Sequence, residues 1–150
     1  MNTKALINEF LGSKTLAVVG VSGKRRGFGY IVYRDLQGKG FEVYPVNPNT
    51  STIDGNPCYS DVRLLPARVD GVVLVIPPEQ TERVVREVAE AGIRRVWMQQ
   101  GAESDAAIRF CEQSGISVVH GECIMMFATP AAFPHRVHRW VRGVVGRLPE

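Results

Sequence analysis

The feature that most constrains the fold of this chain is a regular alternation of short apolar runs with segments of helical periodicity. The run DGVVLVI at 70–76 is apolar continuously rather than at alternate positions, as in a strand buried on both faces of a sheet. A helix is predicted next, at 79–91, because Pro78 precedes it, Gly92 follows it, and its apolar residues recur on one face. Strands that alternate with helices form βαβ units, so the sequence predicts a parallel sheet with right-handed crossovers.

The whole chain of 150 residues follows this pattern and is long enough to bury a full core. It predicts one Rossmann-like α/β domain over residues 1–150, with three α/β/α layers around a five-stranded, mainly parallel sheet. The segment 47–66 is predicted to be an ordered loop with a short turn of helix. The predicted strands are 15–21, 41–46, 70–76, 95–99 and 116–119, and the predicted helices are 29–37, 79–91, 103–114 and a last one within 134–148.

Composition excludes several classes of protein. The hydrophobic fraction of 45% and the charged fraction of 22% are typical of soluble globular proteins. The amino-terminal segment lacks a secretory signal pattern, and the apolar runs are too short to span a bilayer. Three cysteines without CxxC spacing indicate reduced thiols rather than disulfides or a metal site, which favours the cytoplasm. The net charge of +3 comes without the polybasic, aromatic-rich stretches of nucleic-acid-binding proteins.

The candidate ligand site follows the first strand. In an open parallel sheet, ligands bind at the carboxyl ends of the strands, where the strand order reverses. Here a glycine-rich turn leads into a helix N-terminus, where backbone N–H groups and the helix dipole favour an anion. A hydroxyl and three consecutive cations lie in the same turn, so it is predicted to bind phosphate. Its residues are Gly20, Val21, Ser22, Gly23, Lys24, Arg25 and Arg26.

The spacing of these glycines departs from the GxGxxG dinucleotide motif, and the turn lacks the GK[ST] of a P-loop. The second strand is followed by Asn47, Pro48 and Asn49, without the carboxylate that usually binds the ribose hydroxyls of NAD. This pattern disfavours NAD and permits a ligand with an additional phosphate.

The other strands also place residues at this edge. Val75, Ile76 and Pro77 end the third strand with an apolar surface suited to an adenine ring or an alkyl arm, although the prolines also suit a simple helix start. The fourth strand ends in the amide-bearing segment 98–101, and the loop after the fifth strand places Cys123 at the same edge. The role of that thiol is left open.

Six segments in the same order resemble the small bacterial CoA-binding proteins, whose fold matches the CoA-binding domain of the succinyl-CoA synthetase alpha subunit. They are VVGVSGKRRGFG, GFEVYPVNP, IDGNPCY, VVLVIPP, VWMQQG and GECIMM. The resemblance implies CoA as the ligand, with its phosphates on Ser22 to Arg26 and its adenosine end near Asn47 to Asn49. The pantetheine arm would then pass residues 75–77 together with Met98, Gln99, Gln100 and Gly101.

The sequence contains no recognisable catalytic arrangement. The chain ends before any domain like the one that carries the phosphorylated histidine of the synthetase, and His120, His135 and His138 match no such position. We therefore expect a protein that binds CoA or a short acyl-CoA and is non-catalytic alone, serving either as a carrier or sensor or as a partner for another polypeptide; a homo-oligomer is the other arrangement left open. The alternative is a small NADP-dependent oxidoreductase with Lys24 to Arg26 on the 2′-phosphate, although the strand ends offer no Tyr/Lys pair.

Overall fold

The computed structural model describes residues 3–23 and 27–128, and its centre is a five-stranded parallel sheet. The sheet confirms the predicted strands, all of whose neighbouring pairs are parallel. The strands are β1 (Thr15–Val19), β2 (Glu42–Val46), β5 (Gly71–Leu74), β6 (Arg95–Gln99) and β7 (Ser117–Glu122), and a separate hairpin is formed by β3 (Thr52–Ile53) and β4 (Asn56–Pro57). The order β2-β1-β5-β6-β7 reverses direction between β1 and β5, so the favoured ligand position lies above these two strands.

In the part of the chain that the structure describes, four helices cover the two faces of the sheet and complete the predicted three layers. They are α1 (Thr3–Leu11), α2 (Phe28–Gly38), α3 (Pro78–Glu90) and α4 (Asp105–Gln113). Successive residues of β1 point to opposite faces: Leu16 and Val18 belong to the core under α1 and α2, and Ala17 and Val19 to the core under α3 and α4. The continuous apolar runs of the sequence follow from this burial on both faces.

Helix α1 is absent from the sequence prediction. Its nine residues bury two large side chains, Ile7 and Phe10, and the Phe10 ring lies 5.4 Å from that of Trp97. A helix this short is marginally stable alone. Its stability comes from packing on β6 and β7, a contact that local periodicity does not encode.

The segment between β2 and β5 contains more structure than predicted. Its turn of helix is a 3-10 turn at Val62–Leu64, in which the Asp61 side chain accepts a hydrogen bond from Arg63 N at 2.8 Å. The β3–β4 hairpin precedes it and turns at Asp54, with φ +52°, and Gly55.

Several strand boundaries differ from the prediction: β2, β5 and β7 each start one residue late, and β5 ends at Leu74, two residues early. Strand β1 ends at Val19, two residues early, because Gly20 turns the chain with φ +104°, and β7 continues to Glu122. The helix predicted within 134–148 lies outside the described residues.

Candidate functional site

The turn after β1 is shaped by two glycines. A Cβ on Gly20 would lie 2.0 Å from the carbonyl oxygen of Val75, and the φ of +104° also requires glycine. A Cβ on Gly29 would lie 2.1 Å from the carbonyl oxygen of Gly20. The first turn of α2 therefore packs directly on the end of β1. The tight turn and the close helix packing of a dinucleotide motif are both present, at a different spacing.

The predicted phosphate-binding residues follow Gly20. Val21 is buried, Ser22 is half-buried and Gly23 is exposed, whereas Lys24 to Arg26 lie outside the described residues. The N-cap of α2 is Gly27, which makes no side-chain capping hydrogen bond. The loop thus leads into a helix N-terminus that has no side-chain acceptor at its cap, as an anion site requires.

The side chain of Asn47 joins the loops after β1 and β2. Its Nδ2 donates to the carbonyl oxygen of Val21 at 2.9 Å, and its Oδ1 accepts from Asn49 N at 2.8 Å. The backbone N–H of Asn47 donates to the carbonyl oxygen of Tyr59 at 2.8 Å. Asn47 therefore positions the edge of the site, while Pro48 and Asn49 are exposed there.

A cleft of about 230 Å³ opens at the carboxyl ends of β1, β2 and β5, beside α3. Drug-sized ligand sites span roughly 300–1,000 Å³, so this cleft suits one part of a larger ligand. Seven predicted residues line it: Gly20, Asn47, Pro48, Asn49, Val75, Ile76 and Pro77. The sequence prediction missed its other wall, formed by Gln80, Arg83, Val84 and Glu87 of α3 and by Ser60, Asp61 and Val62. The sequence did contain a signal for the α3 wall, because Gln80, Arg83, Val84 and Glu87 are spaced so that they lie on one face of a helix.

A network of charges lies along this second wall. Arg63 Nη2 lies 2.6 Å from Asp61 Oδ2, and Arg63 Nη1 lies 2.6 Å from Glu90 Oε2. Glu87 Oε2 is 3.3 Å from Arg83 Nη1 and 3.8 Å from Arg63 Nη2. The side-chain hydrogen bonds from Arg63 hold the pKa of the Asp61 carboxyl below its ordinary value. The Asp61 carboxylate, which lines the cleft, is therefore ionised at neutral pH.

The remaining predicted residues lie farther along the same edge, at the ends of β6 and β7, and do not line the cleft. Met98 and Gln99 are fully buried, whereas Gln100 and Gly101 are exposed. Gln99 Nε2 donates to the half-buried Sγ of Cys123 at 3.0 Å, and Gln99 Oε1 accepts from Ile124 N at 2.8 Å. The Gln99 amide thus fixes the loop that carries Cys123.

The other two cysteines are enclosed. Burial raises the pKa of the Cys58 thiol, and it raises the pKa of Cys111 to about 12. All three cysteines are free thiols. Within residues 3–23 and 27–128, no group of three or more metal-ligating side chains is brought together, and no helix has the length and apolar character to cross a bilayer.

The fold and this edge define the class of protein. Residues 14–129 match the CoA binding domain family, and the chain belongs to that family. This confirms the resemblance carried by the sequence motifs.

Among curated proteins, the chain is similar to the uncharacterized protein YneT of Bacillus subtilis (strain 168), with 31% identity over 81% of this chain and 91% of that protein. It is also similar to the alpha subunit of acetate–CoA ligase (ADP-forming) II of Pyrococcus furiosus, with 24% identity over 84% of this chain. It spans 30% of that subunit's length. The oxidoreductase alternative gains no support from these similarities.

Two solved structures share the fold. A conserved hypothetical protein from Pyrococcus furiosus is 46% identical, with a TM-score of 0.71 over 75% of this chain and 97% of that chain. An acetyl-coenzyme A synthetase from Ca. Korarchaeum cryptofilum, in complex with phosphate and ADP, is 27% identical, with a TM-score of 0.63 over 70% of this chain and 25% of that chain.

Proposed function

We propose that this protein binds CoA or a short acyl-CoA at the carboxyl edge of its sheet and is non-catalytic alone. The observation that carries the proposal is the position of the cleft. It lies at the reversal of strand order in a domain of the CoA binding family, beside the tight glycine turn that follows β1. The adenosine end occupies the cleft, and the phosphates bind the loop 20–26.

The charges at the two ends of this edge support that orientation. The loop contributes Lys24, Arg25 and Arg26, whereas the cleft is lined by the two carboxylates of Asp61 and Glu87 against the one guanidinium of Arg83, which leaves its lining net negative. A phosphate is attracted to the first and repelled by the second. The pantetheine arm then extends past Gln100 and Gly101 toward Cys123.

The proposal includes a protein partner. The chain covers a fraction of each CoA ligase that it resembles, and one of these relatives is itself described as an alpha subunit. A domain that binds CoA without a catalytic arrangement can present the cofactor to a second polypeptide. The three free thiols favour a cytoplasmic location for this complex.

A ligand screen by thermal unfolding tests the proposal. CoA, acetyl-CoA, NADP and NAD are added to the protein at equal concentration. We expect CoA to raise the melting temperature more than NAD, because a ligand at a hundred times its Kd stabilises the folded state by about 2.7 kcal/mol. Stabilisation by NAD without stabilisation by CoA would contradict the proposal.

A loop variant is the matched control. Replacing Lys24, Arg25 and Arg26 together by glutamine removes the cations and keeps chain length and hydrogen-bonding capacity. We expect the variant to unfold at the wild-type temperature without ligand and to lose most of the stabilisation by CoA. If CoA stabilises this variant as strongly as the wild type, the phosphates bind elsewhere.

A further inference from the structure

Of the α3 residues that line the cleft, Glu87 lies farthest along the helix from its first turn. Helix α3 starts at the carboxyl edge of the sheet and runs away from it, so Glu87 lies two turns, or about 10 Å, beyond Gln80. Between them Arg83 and Val84 line the cleft, and Val84 belongs to the same apolar cluster as Val46 and Val62, which also line it. The cleft therefore has valine side chains in its wall and the Glu87 carboxylate at its far end.

The acidic end carries more negative than positive charge. Arg63 is engaged at 2.6 Å by both Asp61 and Glu90, and it reaches Glu87 at 3.8 Å. Arg83 lies 3.3 Å from Glu87 Oε2 and its side chain is 60% exposed. Three carboxylates thus face two guanidinium groups. Among the described residues, no hydrogen bond is made by the second oxygen of Glu87, Oε1, so it is available as an acceptor.

A cleft with valine side chains in its wall and a carboxylate at its far end fits a flat heteroaromatic ring that carries an N–H donor at its leading edge. A phosphate at that position would be repelled. In a CoA-type nucleotide, the adenine ring has this shape, and its exocyclic amino group is the N–H donor of the ring. We propose that Glu87 recognises the adenine base by accepting a hydrogen bond from this amino group. This inference depends on the proposed function, because it assumes that the adenosine end enters the cleft.

The proposal is tested by measuring how tightly each of two ligands binds to each of two forms of the protein. The ligands are adenosine 3′,5′-bisphosphate, which is the nucleotide part of CoA, and the matching purine nucleoside bisphosphate that lacks the amino group. The proteins are the wild type and Glu87→Met, which removes the carboxylate and keeps a straight side chain with high helix propensity. Isothermal titration measures all four Kd values.

We expect the amino group to strengthen binding to the wild type by about tenfold, as for a hydrogen bond to a charged acceptor. In Glu87→Met, both nucleotides should bind with the same Kd. The control is Glu90→Met, which removes another partner of Arg63 from the same helix at a position that does not line the cleft. It should retain the tenfold preference.

The outcomes separate the two proposals. If the wild type binds both nucleotides equally, or if Glu87→Met keeps the preference, Glu87 does not recognise the base, and the CoA site itself still stands. If the wild type binds neither nucleotide and CoA does not stabilise it, both proposals fail. A preference lost equally in Glu90→Met would assign the effect to Arg63 and overturn the role of Glu87.

Discussion

At the scale of single residues, Gly20 and Gly29 have separate functions that a motif search does not distinguish. Gly20 turns the chain against Val75, and Gly29 brings α2 into contact with that turn. We expected Gly20 to matter because a side chain would block the approach of a phosphate. The structure adds a second reason, since a side chain at Gly20 also clashes with the protein's own backbone.

Gly20→Ala should therefore destabilise the protein even without ligand. A non-glycine residue at this φ costs about 1–3 kcal/mol, and the overlap with the Val75 carbonyl adds to that cost. Urea unfolding of the free protein measures the loss. Gly23→Ala is the control from the same loop, because its Cβ would meet Thr50 Cγ2 at an ordinary 3.5 Å. Equal stability of the two variants would contradict the clash.

Polar residues predicted at the ligand edge also hold the protein together. The amide of Asn47 bonds to Val21 and Asn49, and that of Gln99 bonds to Cys123 and Ile124. A buried amide with both ends bonded costs little, whereas an unpaired one is expensive. Their position at the strand ends was predictable from the sequence. Their partners were not.

At the scale of elements, the segment between β2 and β5 makes the cleft possible. A regular crossover helix there would pack beside α3 and fill the space, whereas the 3-10 turn at Val62–Leu64 leaves it open. Asp61 stabilises this turn by accepting hydrogen bonds from the backbone and side chain of Arg63. The cleft wall thus depends on one capping carboxylate.

This dependence predicts a pH effect for Asp61→Asn. Because the pKa of Asp61 is lowered in the folded protein, its ionised form stabilises the fold above the ordinary pKa, and that contribution is lost as the pH falls through the lowered value. We expect the variant to be less stable at pH 7 by up to about 1 kcal/mol, as for partly exposed ion pairs. The difference should shrink below about pH 4.

Urea unfolding of the wild type and of Asp61→Asn across this pH range measures the difference in their free energies of unfolding. Glu112→Gln is the control, since Glu112 is exposed on α4 and makes no ion pair among the described residues. A difference between wild type and Asp61→Asn that is independent of pH would show that the charge of Asp61 does not stabilise the turn.

At the scale of the whole molecule, the sheet separates two cores, and Trp97 is the largest fully buried side chain among the described residues. Its indole Nε1 donates to the carbonyl oxygen of Glu122 at 2.9 Å, and its ring contacts Phe10 and Phe127. One residue of β6 thereby connects α1, β7 and the segment after β7.

We therefore expect urea unfolding followed by Trp97 fluorescence to coincide with unfolding followed by far-ultraviolet circular dichroism. The measurement uses Trp140→Phe, which leaves Trp97 as the single tryptophan. A fluorescence transition at lower urea than the loss of helix signal would show that the core under α1 and α2 opens before the rest of the sheet.

The sequence by itself determined the class of fold and the edge that carries the site. Continuous apolar runs, helical stripes and glycines at the turns are local patterns, and they predict a parallel sheet with a loop suited to phosphate after β1. This information is sufficient because each pattern depends on neighbours within a few residues. The family motifs are likewise short contiguous segments, so they can be read from the sequence without knowledge of the fold.

The tertiary structure alone decided where α1 packs and what forms the second wall of the cleft. Asp61 and Glu87 belong to different elements, and they line the same cavity because the strand order places β2 and β5 on either side of β1. No carboxylate directly follows β2 in the sequence, but the fold brings the carboxylates of Asp61 and Glu87 to the cleft from later segments. Periodicity specifies which face of a helix is buried, but the residues that it meets depend on contacts between distant segments.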